Sequence, residues 1–320
     1  MSAKTQLQAN NTELQNHLAD IMNLPDIEDL KKGEYVWKKL TAKDGDFVSY
    51  VPDNDPDKYP NGGIGYDGFY YELYGEPIKI VSWADGTDEE IVEMVAAADR
   101  GEINLSDYWA IGQERKVTLK KMNSTTNASD SHESQEVTLV LAHVGGKTLV
   151  SPTESGRTEC SFQVDMKNCL KESGNMKTSG DNTGGWSSTN RRTWCNSTFK
   201  NSIPSTLLPI FKQFKNVSGK GGGATTGTQN TNDWFALRAE IEVHGKALLS
   251  FTGEGEHIEY YKTESRRVKR YGDSGSAIEW WSRSPERDNE KAFRITVSNG
   301  APLSSNADFY YTGISTFGCI

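Results

Sequence analysis

Apolar residues are sparse in this 320-residue chain, and nowhere do they form a long run. The apolar share is 35% and the mean hydropathy is -0.66. No stretch approaches the roughly 20 apolar residues of a membrane-spanning helix, so membrane insertion is not expected. Much of the chain is instead expected to be solvated loop, extended hairpin or oligomer interface. Basic residues are short as well: 35 Lys and Arg stand against 44 Asp and Glu, for a net charge of -9 and a pI near 5.2. Such a balance repels polyphosphate backbones and anionic lipid, so nucleic acid and membrane surfaces are excluded as expected partners. Met1-Ser2-Ala3-Lys4-Thr5-Gln6 runs on into Asn and Gln without an apolar core, and no secretory export is expected.

Cysteine is rare too. Cys160, Cys169, Cys195 and Cys319 show none of the short paired spacings of a zinc site. An even number permits two disulfides, but buried reduced thiols are the simpler expectation. The Asn-x-Ser/Thr triplets at Asn123, Asn127, Asn196 and Asn216 carry meaning only in a eukaryotic secretory protein. His132, His143, His244 and His257 accompany no Gly-x-Ser-x-Gly nucleophile, and no phosphate-binding loop is present. Asp53-Asn54-Asp55-Pro56-Asp57 lacks the spacing and distal Glu of a calcium-binding EF-hand loop. Glu254 and Glu256 would share a face if Phe251 to Tyr260 formed a strand, with the ~7 Å separation of an inverting glycosidase. Acidic residues are plentiful, so a solvated strand face is preferred. No catalytic residue, cofactor or metal is assigned.

What is present is local patterning. Leu7, Leu14, Leu18 and Ile21 occupy heptad positions with Asn11 in a vacant one, before Pro25 stops the helix, so residues 1–25 read as an oligomerising stub or a short surface helix. Residues 26–76 read as a small β module with strands at Tyr35–Trp37, Phe47–Val51 and Phe69–Tyr71. Thr87-Asp88-Glu89-Glu90 is a capping box that opens a helix with Ile91, Met94, Val95 and Ala98 on one face and Gly101 as its stop, so 77–107 reads as a linker helix. Residues 108–320 read as α+β. Strands are predicted at Lys116–Leu119, Glu136–Ala142, Trp234–Leu237, Ala247–Phe251, Ala292–Val297 and Gly313–Ile320. Helices are predicted around Arg192–Phe199 and over Leu207, Ile210, Phe211 and Phe214, and Gly219–Asn232 reads as a mobile loop. Phe293, Ile295 and Val297 alternate with Ala292, Arg294 and Thr296, which predicts one buried and one exposed face, and Asn299-Gly300 predicts a hairpin turn. The segment Leu303 to Gly313, rich in Ser, Asn, Asp and Tyr, reads as a recognition surface.

Two segments carry a resemblance: Gly185-Trp186-Ser187-Ser188-Thr189-Asn190-Arg191-Arg192-Thr193-Trp194-Cys195-Asn196, and Trp280-Trp281-Ser282-Arg283-Ser284-Pro285 with the ending Gly313 to Ile320. They resemble the W-x-x-S-x-x-R-x-W-L-N and W-W-L-R-S-P … G-V-R-P-A signatures of an uncharacterised domain family of gut Gram-positive bacteria and their phages. That family looks like a C-type-lectin-like (formylglycine-generating-enzyme-like) fold and is similar to the variable proteins of diversity-generating retroelements. The likeness covers about Tyr108 to Ile320 and includes Asp233-Trp234-Phe235-Ala236-Leu237-Arg238; Cys195 and Thr316-Phe317 depart from it. The text from Tyr35 to Glu72 resembles modules of phage tail-fibre and virion proteins.

The resemblance implies a last strand lying beside the first strand of the domain. Trp280 and Trp281, whose indole N–H groups need partners if buried, read independently as core anchors beneath the loops. The resemblance also implies a virion protein, assembled in the host bacterial cytoplasm, that meets a bacterial surface glycan or protein and other virion proteins as a homo-oligomer, expected to be a trimer. Arg287, Asn289, Arg294, Asn306, Asp308, Tyr310 and Tyr311 are the expected ligand contacts, binding without metal. The alternative is a structural virion component of the capsid surface, collar or baseplate. An enzyme is not expected: formylglycine-type oxidation would need a cysteine pair, and Cys319 has no partner near it in sequence.

Overall fold

The structure, a computed structural model, describes residues 78–123, 131–223 and 226–320 in full, and the backbone of strands β1 (Trp37–Leu40), β2 (Gly63–Ile64) and β3 (Tyr70–Leu73). The chain divides into two units, Met1–Ile80 and Val81–Ile320. In the first, β1, β3 and β2 form an antiparallel sheet in that order, with Trp37 opposite Leu73 and Ile64 opposite Tyr70. The expected helix at 1–25, the strand at Phe47–Val51 and the Asp53–Asp57 loop lie outside the described residues.

The second unit begins with the helix the capping box predicts, α1 (Asp88–Arg100). Thr87 Oγ1 accepts from the Glu90 amide, the Glu90 carboxylate accepts from the Thr87 amide, and Gly101 ends the helix at φ 80°. Ile91, Met94, Val95, Ala97 and Ala98 are buried. The boundary at Ile80/Val81 puts this helix inside the second unit. Arg115 grips its start through Gly86 O and Asp88 at 2.5 Å each, and Arg157 and Lys212 grip its end through Asp99 at 2.9 and 2.5 Å.

Five strands make the main sheet: β4 (Glu114–Leu119), β5 (Gln135–Val144), β6 (Phe162–Met166), β9 (Phe235–Ala236) and β15 (Phe317–Cys319), ordered β4-β5-β6-β15-β9 and antiparallel throughout. β4 alternates exposed and buried residues, as an edge strand with one wet face should. β6 and β15 are buried along their whole length. The chain end therefore does not lie beside the first strand, β4, as the resemblance implies; it fills the slot between β6 and β9. Gly318 makes that slot possible, since a Cβ there would fall 2.8 Å from the rings of both Phe211 and Phe235.

After a short antiparallel pair, β10 (Lys269–Arg270) with β11 (Ala277–Ile278), a second sheet joins β12 (Trp280–Pro285), β13 (Ala292–Thr296) and β14 (Pro302–Asn306), with the expected tight return at Asn299-Gly300, where Gly300 has φ 88°. All five residues of β13 are buried, so the exposed face expected for Arg294 and Thr296 does not exist. The expected helix around Arg192–Phe199 is longer: α2 (Asn190–Trp194) passes through a π-helical turn, Cys195–Phe199, into α3 (Lys200–Ser202). Asn196, in the widened turn, donates to Arg192 O and Phe235 O and accepts from the Trp234 amide at 2.6 Å.

Three predictions give way to tertiary context. Leu207 to Phe214 is no α-helix: Pro209 allows only the 3-10 turn Leu208–Ile210, and Phe214 opens β7 (Phe214–Gly219). Gly219–Asn232 is not a loop throughout, because β7 pairs with β8 (Thr228–Asp233) from Phe214↔Asp233 to Gly219↔Thr228. Buried Asp233 stabilises that polar hairpin by accepting from Trp186 Nε1, Thr231 Oγ1, Asn216 Nδ2 and Arg192 Nε at 2.7–3.1 Å. Ala247–Phe251 is irregular rather than a strand; its amides at 248–250 bond to a carboxylate instead of to a neighbouring strand.

Candidate functional site

The middle of the second unit is charged. Arg283, fully buried in β12, donates to both Glu242 oxygens (2.5 and 3.1 Å) and to the carbonyls of Val217, Leu237 and Glu254. Glu242, in α4 (Glu240–His244), also accepts from Lys147 Nζ at 2.6 Å. Burial alone would push the Glu242 carboxyl up; Arg283, Lys147 and Arg238 overcome it and hold the group well below the usual carboxylate range. Beside it Arg238 clasps Asp165 and Gln163, and the Tyr261 hydroxyl donates to Asp165 at 2.6 Å. Trp280 and Trp281 are the expected anchors, their indole N–H groups donating to Arg267 O at 2.9 Å and Gly174 O at 2.6 Å.

Glu254 and Glu256 do not share a face, because 251–258 is an irregular turn and not a strand. Glu254 is buried, with Oε1 accepting from the Gly219 amide at 2.7 Å, and burial pushes its carboxyl up to about 7. The Glu256 side chain is 63% exposed and lies 3.3 Å from His143. The paired-carboxylate geometry of a glycosidase is therefore absent at these residues.

From this interior the structure raises two loops. The first, 286–291, is tied down by Asn182, fully buried, whose amide hydrogens are shared among the carbonyls of Glu286, Asn289 and Ala292 at 2.8–2.9 Å. Asn182 Oδ1 accepts from Gly222, and its own amide donates to Glu290 O. Arg287 is half-buried and pairs with Asp288 at 3.2 Å, while Asn289 is exposed and turns its Oδ1 onto the Lys291 amide. Arg294 is not a ligand contact: it is buried in an ion pair with Glu240 at 2.6 Å and bonds Ser304. Glu240 Oε2 in turn accepts from the amides of Leu248, Leu249 and Ser250, and Leu249 O accepts from the Arg287 amide. The arginine expected to meet a ligand positions the loop instead.

The second loop, 306–312, is clamped on both sides. Ala307 O accepts from the Met176 and Lys177 amides at 2.9 and 3.0 Å, the Ala307 amide donates to Lys291 O, and Thr312 O accepts from Gly174 at 3.1 Å. Between these anchors the side chains turn outward. Tyr310 is 47% exposed and Tyr311 76%, with Phe309 set edge-on to Tyr311 at 5.7 Å between ring centroids. Asp308, Phe309, Tyr310, Tyr311 and Ser173 line an open cleft of about 580 Å³. The structure thus joins Asp308, Tyr310 and Tyr311 of the expected contacts. Asn306 is exposed at the end of β14; Arg287 and Asn289 stand on the other loop, outside the cleft lining.

Sequence reasoning missed Ser173 and Asn182, because the cleft that Ser173 lines and the carbonyls of 286–292 that Asn182 holds lie more than 100 residues away along the chain. Phe309 lay inside the expected recognition segment, where its aromatic character between Asp308 and Tyr310 was the available signal.

A family model described as a domain of unknown function (DUF6273) matches residues 162–315. No curated protein and no solved structure matches the chain. The matched stretch runs from β6 through both loops and the aromatic cleft to Ser315, so the chain is similar to that family over the region that carries the candidate site.

Proposed function

We propose that this chain is a non-enzymatic binding protein whose ligand sits on the cleft of Ser173, Asp308, Phe309, Tyr310 and Tyr311, and that it serves a phage particle as a homo-oligomeric, trimeric head recognising a bacterial surface glycan or protein. One observation carries the binding role: three neighbouring aromatic rings stand in solvent on a loop whose backbone is clamped to the body at both ends. Exposed aromatics on a rigid mount offer contact area at small entropic cost, and the adjacent carboxylate and hydroxyl supply polar contacts. The particle and its host surface are supported by the sequence motifs of Gly185–Asn196 and Trp280–Pro285. Repeated copies would raise weak contacts to useful avidity. A structural role in the particle is the second reading, favoured by exposed Leu248, Leu249 and Leu303 away from the cleft.

Binding of the purified chain to candidate host cells and extracted cell-wall glycans tests the proposal. Saturable binding is expected, weakened at least about tenfold in the Tyr310→Ala/Tyr311→Ala variant, the loss typical of an aromatic anchor. Binding unchanged in that variant rejects the cleft. Folded protein that binds no host surface but assembles with particle components supports the structural role.

A further inference from the structure

The aromatic cleft carries a charge that the fold leaves unanswered. Asp308 is exposed and lines the cleft beside Phe309, Tyr310 and Tyr311. Its side chain lies close to Gly180, where a Cβ would stand 3.2 Å from Asp308 Oδ2. Lys177, three residues before Gly180, is committed elsewhere, to Asp181 at 2.9 Å and to Thr183 O at 2.8 Å. Arg287 on the neighbouring loop pairs with Asp288. Among the described residues no group forms a hydrogen bond or an ion pair with the Asp308 carboxylate.

The rings beside it are unanswered in the same way. Elsewhere in this unit cations sit over aromatic faces, Lys200 at 3.6 Å from the Trp234 centroid and Arg266 at 4.7 Å from that of Tyr260. Among the described residues no Lys or Arg sits over Phe309, Tyr310 or Tyr311. Phe309 and Tyr311 meet edge to face, with planes 65° apart, so they do not cover each other as a stacked pair would. The Tyr271 hydroxyl approaches Tyr311 O at 3.5 Å, a further tie on the backbone that carries these rings.

A carboxylate and aromatic faces select for the same charge. The ring faces are the negative side of the aromatic quadrupole, so both features repel an anion and attract a cation. A neutral sugar would use the rings and leave the charge of Asp308 uncompensated. A hydrated metal ion would find one carboxylate and gain little from the rings. An organic ammonium group uses both, with alkyl surface against the rings and positive charge beside the carboxylate, and the net charge of -9 on the chain draws the same sign.

On the reading that this cleft is the ligand site, we propose that it recognises an organic ammonium group, such as a choline substituent or an unacetylated amino sugar brings to a cell-wall glycan. Tyr310 and Tyr311 supply the ring contact, Asp308 the opposite charge, and the Ser173 hydroxyl a polar contact for atoms beside the ammonium.

The full-length protein is titrated by ligand-observed NMR with two pairs of compounds: choline and the neutral alcohol in which carbon replaces its nitrogen, and glucosamine and N-acetylglucosamine. Saturable binding of at least one ammonium compound is expected, with its neutral counterpart weaker by about fivefold, the scale of one exposed charge contact. Choline alone identifies a quaternary substituent as the source, and glucosamine alone a free amino sugar. Asp308→Asn should reduce the charged compound to the level of the neutral one without moving the urea midpoint, because this carboxylate has no partner to lose. Equal binding of charged and neutral compounds in both pairs, no binding at all, or ammonium binding unchanged in Asp308→Asn overturns the proposal. Host-cell binding separates this failure from that of the cleft itself. Binding that is lost in Tyr310→Ala/Tyr311→Ala but not competed by choline or glucosamine keeps the cleft and rejects the ammonium; binding unchanged in that variant rejects both.

Discussion

Arg283 and Tyr311 belong to the same C-terminal stretch, yet they live in opposite environments: the arginine is fully buried and the tyrosine is 76% exposed. The usual arrangement of charge outside and aromatic inside is reversed at both places. The difference lies in partners. Arg283 is surrounded by Glu242 and three backbone carbonyls, so its burial is offset contact by contact. Tyr311 touches Phe309 edge-on and otherwise faces solvent across an open cleft. The buried charges fix the interior, while the exposed rings stand on a loop held by backbone hydrogen bonds with Gly174, Met176, Lys177 and Lys291.

The largest effect should come from breaking the interior. Glu242→Ala leaves Arg283 and Lys147 buried without their carboxylate, and removing one member of a buried pair costs about 3–5 kcal/mol, to be read from urea unfolding. A cost near that of an ordinary surface substitution would mean the network contributes nothing.

Glu254 gives a smaller and pH-dependent effect. Its carboxyl is raised by burial to about 7 in the folded state from an ordinary 4.5, so the folded protein holds that proton more tightly and stability falls as pH rises through that window. By the 1.36 kcal/mol per pK unit, the loss is on the order of 3 kcal/mol once Glu254 is ionised. Burial lowers His244 to about 4 from 6.5, so its contribution is lost as pH falls from 6.5 toward 4, the opposite slope. Comparison with Glu254→Gln isolates the first term: the variant should match wild type near pH 4.5 and exceed it at pH 8. A difference independent of pH would show that Glu254 is ionised in the folded protein throughout.

Asn182→Ala removes the donors for three carbonyls and should cost about 2 kcal/mol, with faster amide exchange across residues 286–292 as its local signature. Stability lost with no change in exchange there would separate Asn182 from the loop. The smallest effect on stability, below about 0.5 kcal/mol, is expected for Tyr310→Ala/Tyr311→Ala, since solvent-facing rings contribute little to folding. That variant sharpens the contrast, because its cost should appear in binding and not in the unfolding midpoint. A large loss of stability would mean the rings pack rather than wait for a ligand.

Local chemistry made parts of this molecule legible. Thr87 and Glu90 specify α1 because a capping box needs only residues three apart, and Gly101 stops it because αL geometry belongs to glycine. Asn299-Gly300 specifies the β13–β14 return for the same reason. Alternation located β4 and β13, and the Ser-, Asp- and Tyr-rich text ahead of Gly313 located Asp308, Tyr310 and Tyr311. It misjudged β13's second face, because Arg294 and Thr296 look solvated unless Glu240 and the neighbouring elements are in view. The β7–β8 hairpin was hidden similarly: its polar residues are buried around Asp233, and no hydropathy pattern reports a buried polar hub.

The mixed α+β character, the acidic charge balance, the caps and turns, and the aromatic text of the second loop can be read from the residues alone, since composition suffices for the charge and the others depend on side chains within a few residues of one another. Folding alone places Arg294 against Glu240 inside the protein, brings Ser173 to the cleft and inserts the chain end into the sheet between β6 and β9. Those outcomes join residues far apart along the chain, and a buried charge or hydroxyl takes its meaning from the partner that folding places against it.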